Sequence, residues 1–75
     1  MIKELDTVVL TTDLADHGLT TGDVGTVVLV HGNGQGFEVE FMTLEGATLT
    51  VASLGAADVR TVDHNEIAHA RAVAA

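Results

Sequence analysis

Glu38 and Glu40 stand two residues apart in Phe37-Glu38-Val39-Glu40-Phe41, a segment whose strict apolar/acidic alternation reads as a half-buried strand. Side chains at i and i+2 on a strand point the same way and lie about 6.5–7 Å apart. That spacing falls in the range used by the two carboxyl groups of inverting glycosidases. Acid–base chemistry would require burial or mutual repulsion to push their pKa values apart, and an outward strand face without aromatic platforms has nothing to hold a sugar. The pair therefore reads as a solvated acidic face, and no catalytic residue is expected. With Asp13, Asp16 and Asp23 on one neighbouring loop and Glu45 on another, these carboxylates are instead candidates for a partner-facing acidic patch.

Two further groups of residues invite chemistry. His17, His31, His64 and His69, beside Asp16, Asp63 and Glu66, raise the question of a metal. No two of the histidines repeat at the i, i+4 spacing that puts two imidazoles on one helical face. They read as solvated surface side chains, and neither a metal nor a cofactor is expected. Gly32-Asn33-Gly34-Gln35-Gly36 could cradle a phosphate, but phosphate loops open a helix whose first amides complete the site. Here a strand follows, so the stretch reads as a hairpin loop with Asn and Gly supplying positive φ.

The elements that must position these residues are short. Eleven valines and ten threonines weight the composition towards β-structure, and glycine clusters cut the chain into brief apolar runs. Leu5–Leu10 reads as a first strand with both faces partly buried, and Asp13–Asp23 as a long polar loop. Gly25–His31 is a central strand, apolar on both faces, which suggests that a partner or the tail covers one of them. Phe37–Phe41 is the third strand. After a turn at Glu45-Gly46 comes Ala47–Ala52, with Leu49 and Val51 expected in the core and Thr48 and Thr50 facing water. A helical turn at Leu54–Asp58 then precedes a last strand at Val59–Val62. The fold class is all-β, a small five-stranded barrel over residues 1–62 with a tail at 63–75. In that tail Asp63 and Glu66 match a capping box that would start a helix, while alternation from Ile67 to Val73 suits an extended segment. Helix, extended segment and disorder all stay open.

Size and charge exclude several functions. Seventy-five residues form one small domain that buries roughly 60% of its unfolded surface, leaving little volume for a catalytic cleft. Eleven acids against three bases, a net charge of −8, argue against nucleic acid, whose backbone is bound by lysine and arginine releasing counterions, and against anionic membranes. They favour a basic protein partner steered in by the acidic field. Without cysteine the fold rests on packing alone, which fits a reducing cytoplasm. No apolar run approaches the about 20 residues needed to span a bilayer, and the opening residues lack the features of a secretory signal.

Gly18-Leu19-Thr20-Thr21-Gly22-Asp23-Val24-Gly25-Thr26-Val27-Val28 resembles a segment shared by SH3-like small barrels, including KOW motifs and the β-subunit of nitrile hydratase. Over a longer span, Ile2–Leu10, Gly22–Val28, Phe37–Phe41 and Asp58-Val59-Arg60 resemble a family of short bacterial proteins, domain of unknown function 4926. The resemblance implies an SH3-like barrel, a bacterial source and an antitoxin or immunity role, and it carries over no catalytic residues. Without tyrosine or tryptophan the chain lacks the aromatic groove of proline-rich-peptide binders and the basic and aromatic loops of RNA-binding barrels.

The resulting expectation is a non-catalytic cytoplasmic module. It would inhibit a basic toxin encoded nearby through Glu38, Glu40, Asp16, Asp23 and Glu45, with an open strand edge adding main-chain hydrogen bonds or pairing two copies. The alternative is an accessory or structural subunit of an enzyme complex, as in the nitrile hydratase β-subunit.

Overall fold

The structure, a computed structural model, describes residues 1–73. Five strands follow one another along the chain: β1 (Thr7–Leu10), β2 (Val24–His31), β3 (Gly36–Met42), β4 (Thr48–Gly55) and β5 (Val59–Thr61). They form one antiparallel sheet in the order β4-β3-β2-β1-β5. No ladder joins β4 to β5, so the sheet is open at those two edges. Among the described residues helix is confined to single 3₁₀ turns at Ala15–His17 and Ala56–Asp58.

The inward face packs Val8, Leu10, Val27, Phe37, Val39, Phe41, Ala52, Leu54 and Val59 into one cluster. Alternation on β3 is as expected: Phe37, Val39 and Phe41 are buried and Glu38 and Glu40 face outward. Strand β1 is buried along Val8, Val9 and Leu10, as its run of apolar residues requires. Leu19, in the stretch read as a polar loop, also enters the core at 3% exposure. It gets there through paired backbone hydrogen bonds with Leu14 that pinch the β1–β2 loop into a small closed turn.

Strand β4 inverts the expected faces. Leu49 and Val51 are 40% and 49% exposed, whereas Ala52 and Leu54 are buried. Register with β3 is the cause. Thr50, Ala52 and Leu54 lie opposite Phe41, Val39 and Phe37, while Val51 lies opposite Glu40. Directly opposed residues share a face, so Val51 is turned outward with the glutamate. The strand also runs on to Gly55, three residues beyond the expected end, bringing Leu54 to the core.

Glycine enters the argument at two places. Gly18 and Gly22 in the β1–β2 loop have φ of 69° and 96°, a conformation that other residues adopt only at a cost. Gly25 serves packing instead: a Cβ there would lie 2.6 Å from Val39 Cγ1 and 2.9 Å from Phe41 Cε1. The side chains of Val39 and Phe41 fill the space beside Gly25, so no side chain fits at that position.

No helix forms over 63–73, so of the alternatives left open for the tail the helical one is set aside. Glu66 does reach back to the Asp63 N–H, at 2.7 Å, as a capping box would have it. Its carboxylate is also held by both terminal nitrogens of Arg60, at 2.7 Å each. The result is a single turn tied to β5, after which residues 67–73 have no regular secondary structure. Residues 74 and 75 of the tail lie outside the described residues.

Candidate functional site

The outward face of the sheet is built in rows. Hairpin β2–β3 sets Leu29 opposite Glu38 and Thr26 opposite Glu40, and hairpin β3–β4 sets Ser53 and Val51 on their other sides. Each glutamate is thus flanked across the strands by one apolar and one hydroxyl side chain. The ladders carry local irregularities at Val27/Leu29 and Phe41/Met42, and further apolar residues are open to solvent. Val24, Val28, Leu29, Met42, Leu49 and Val51 are between 40% and 50% exposed. Val28 and Leu29 are among them, so the outer side of β2 is partly open to solvent.

Glu38 is the most engaged side chain of this face. Ser53 Oγ donates to both its oxygens, at 2.6 and 2.8 Å, and His31 Nε2 lies 2.6 Å from Oε2. One carboxylate therefore clasps β2, β3 and β4. Hydrogen bonding from Ser53, and next from His31, holds its pKa below the usual value, because both interactions favour the ionised form. Glu40 accepts a single bond, from Thr48 Oγ1 at 2.5 Å. Neither carboxylate is buried.

The other expected acids sit on different elements. Asp13 ties its loop together, accepting from the Thr21 N–H at 2.8 Å and from Thr21 Oγ1 at 3.0 Å. The backbone bond and then the hydroxyl bond lower its pKa. Asp16 is exposed on the first 3₁₀ turn and Glu45 is exposed at the tip of the β3–β4 turn. Asp23 is not free: Arg71 from the tail grips it, donating from Nε to Oδ1 at 2.8 Å and from a terminal nitrogen to Oδ2. That guanidinium is the main reason its carboxyl lies below the usual range, helped by the Thr20 N–H. The acids expected in one patch thus lie on β3 (Glu38 and Glu40), in the β1–β2 loop (Asp13, Asp16 and Asp23) and in the β3–β4 turn (Glu45).

The histidines are dispersed. His31 meets Glu38, His17 Nδ1 lies 3.3 Å from Thr50 Oγ1 and His64 Nδ1 lies 3.0 Å from Asp63 Oδ1. Among the described residues no three His, Asp or Glu side chains gather as a metal would need, and no helix is long and apolar enough to cross a membrane. Sequence reading overlooked the roles of His31, Ser53 and Thr48. The period-2 rule would have put Ser53 and His31 on the glutamate face once the hairpin register was known. Nothing local signals the pairing of Arg71 with Asp23.

Fold and site together define a small all-β domain of five antiparallel strands whose outer sheet face mixes acidic and apolar side chains. The chain belongs to the family described as Domain of unknown function (DUF4926), whose model matches residues 4–61. Comparison with curated proteins and with solved structures finds no match. The family match spans all five strands and ends before the tail that carries Glu66 and Arg71.

Proposed function

We propose that the chain is a non-catalytic SH3-like barrel that binds a basic protein partner on the outer face of β2, β3 and β4, acting as an antitoxin or immunity-type inhibitor in the cytoplasm of a bacterium. In support of the barrel, the strand order joins β5 to β1 beside the β2–β3–β4 meander, the connection after β1 is long, and a 3₁₀ turn precedes the last strand. The observation that carries the binding reading is Glu38 and Glu40 side by side, amid the exposed Leu29, Leu49 and Val51. Apolar area supplies affinity while the carboxylates select and steer a cationic surface.

Co-expression tests this. The product of a neighbouring gene should arrest growth alone, be neutralised by this chain, and escape when Glu38→Gln and Glu40→Gln are combined. A harmless neighbour, or one still toxic beside the wild-type chain, overturns the antitoxin reading.

The same exposed apolar side chains favour a second reading, an accessory or structural subunit docked on an enzyme through Val24, Val28, Leu29 and Val51. Salt separates the two. Capture of a partner through the carboxylates weakens between low and high ionic strength, while capture through the apolar residues does not.

A further inference from the structure

Asp23 is a carboxylate that this chain's own cation already fills. Arg71 meets it with two nitrogens, and the second of these also donates to the Gly18 carbonyl at 3.2 Å. The Thr20 N–H fixes Oδ2 from the other side at 2.9 Å. A planar guanidinium set bidentate on a carboxylate and completed by a backbone carbonyl is an arginine seat, a geometry that an ammonium cannot reproduce. The seat is tied into the fold: Gly18 and Gly22 shape the loop, the Leu14–Leu19 pair closes it, and the Leu10 N–H bonds to the Asp23 carbonyl at 2.9 Å.

The segment that supplies Arg71 is the opposite. Residues 62–72 are exposed throughout, and among the described residues from 67 onward the hydrogen bonds are those of Arg71 alone. Beyond Glu66 the described tail is pinned at one point.

Resting on the reading of this chain as a module for basic partners, we propose that the tail is a strap: Arg71 keeps the Asp23–Gly18 seat filled in the free protein and gives it up to an arginine of the partner. Exchange of one guanidinium for another conserves the hydrogen bonds, and release of the tail restores its conformational freedom. A tethered side chain is present at its seat at an effective concentration of order mM, so stray arginines do not displace it. A partner already held on the Glu38/Glu40 face is concentrated in the same way, and it competes. Arg71 thereby raises the threshold for binding and favours partners that engage both places.

The test uses the full chain, wild type and Arg71→Ala, with a blocked Ala-Arg-Ala tripeptide as probe and its lysine counterpart as control, followed by amide NMR shifts. In Arg71→Ala the amides of residues 18–23 should respond to the arginine probe at concentrations about tenfold or more below those needed for wild type. The lysine probe should be weaker, and adding Asp23→Asn should abolish the response. Arg71 lies outside every strand, and retained dispersion of the β1–β5 amides verifies the fold. Identical curves for the two proteins, or no response at 18–23 in Arg71→Ala, overturn the strap. Neither result depends on the sheet face, whose failure is read separately from the growth assay with Glu38→Gln and Glu40→Gln.

Discussion

Carboxylates on this molecule differ by the company they keep. Glu66 is the extreme case, its pKa held down to about 2 by the Arg60 guanidinium and then by the Asp63 N–H. Because the folded value lies below the about 4.3 of an unfolded chain, the contact contributes to stability above that pH and the contribution is lost as pH falls through about 2. A carboxyl-detected NMR titration should place the Glu66 midpoint near 2 in wild type and return it to the ordinary glutamate range in Arg60→Ala. Glu38 answers to a neutral neighbour first, so Ser53→Ala should raise its midpoint while leaving that of Glu66 in place. Equal midpoints for Glu38 before and after the substitution would disprove the role given to Ser53. Leu5 belongs to the same scale: its φ of 74° places an exposed, non-glycine residue in the left-handed region, at about 1–2 kcal/mol. Leu5→Gly should relieve that strain and raise the melting temperature, or leave it level once the added freedom of the unfolded chain is counted.

Among elements, β4 and the packing of β3 side chains against Gly25 of β2 carry the strongest consequences. Leu54→Ala removes a buried side chain and should cost about 2–5 kcal/mol, whereas Val51→Thr, on the outer face, should stay within about 0.5 kcal/mol. Chemical denaturation of the two variants checks which face of β4 is the core. Gly25→Ala forces a methyl against Val39 and Phe41 and should cost about 1–3 kcal/mol, lowering the melting temperature by several degrees. These elements also mark what the sequence made legible. The alternation of Phe37, Val39 and Phe41 with two glutamates fixes the face of β3 without help from anything else, and the apolar run through Val8 and Val9 marks β1 as buried. Strand β4 alternates threonine with aliphatic residues, and its own pattern pointed to the wrong face. Only its pairing with β3 decides, and pairing is a property of two segments. The Glu38/Glu40 pair was legible because it lies within one strand. The tie between Asp23 and Arg71 was not, because 47 residues stand between them and the 2-residue period of a strand says nothing about so long a span.

At the scale of the whole molecule, three basic residues serve a chain of net charge −8, and two of the three are spent inside it, Arg60 on Glu66 and Arg71 on Asp23. The field felt by an approaching protein is therefore acidic with little local relief. Association with a cationic partner should slow markedly between 50 and 500 mM salt, as stopped-flow mixing would record, while the dissociation rate changes less.

Strand β1 also sets an order of assembly. Its neighbours are β2, which follows along the chain, and β5, which comes near its end: Val9 faces Val24 on one side and Arg60 on the other. The β2–β3–β4 meander closes through short turns, but β5 must be brought back across the whole meander before its three residues can pair. Closing that long loop is entropically demanding and yields little ladder in return. Folding should therefore begin in the meander and finish with β5. In hydrogen exchange the β1–β5 amides should open at lower free energy than those of β3, making this seam the first place where the native sheet unzips.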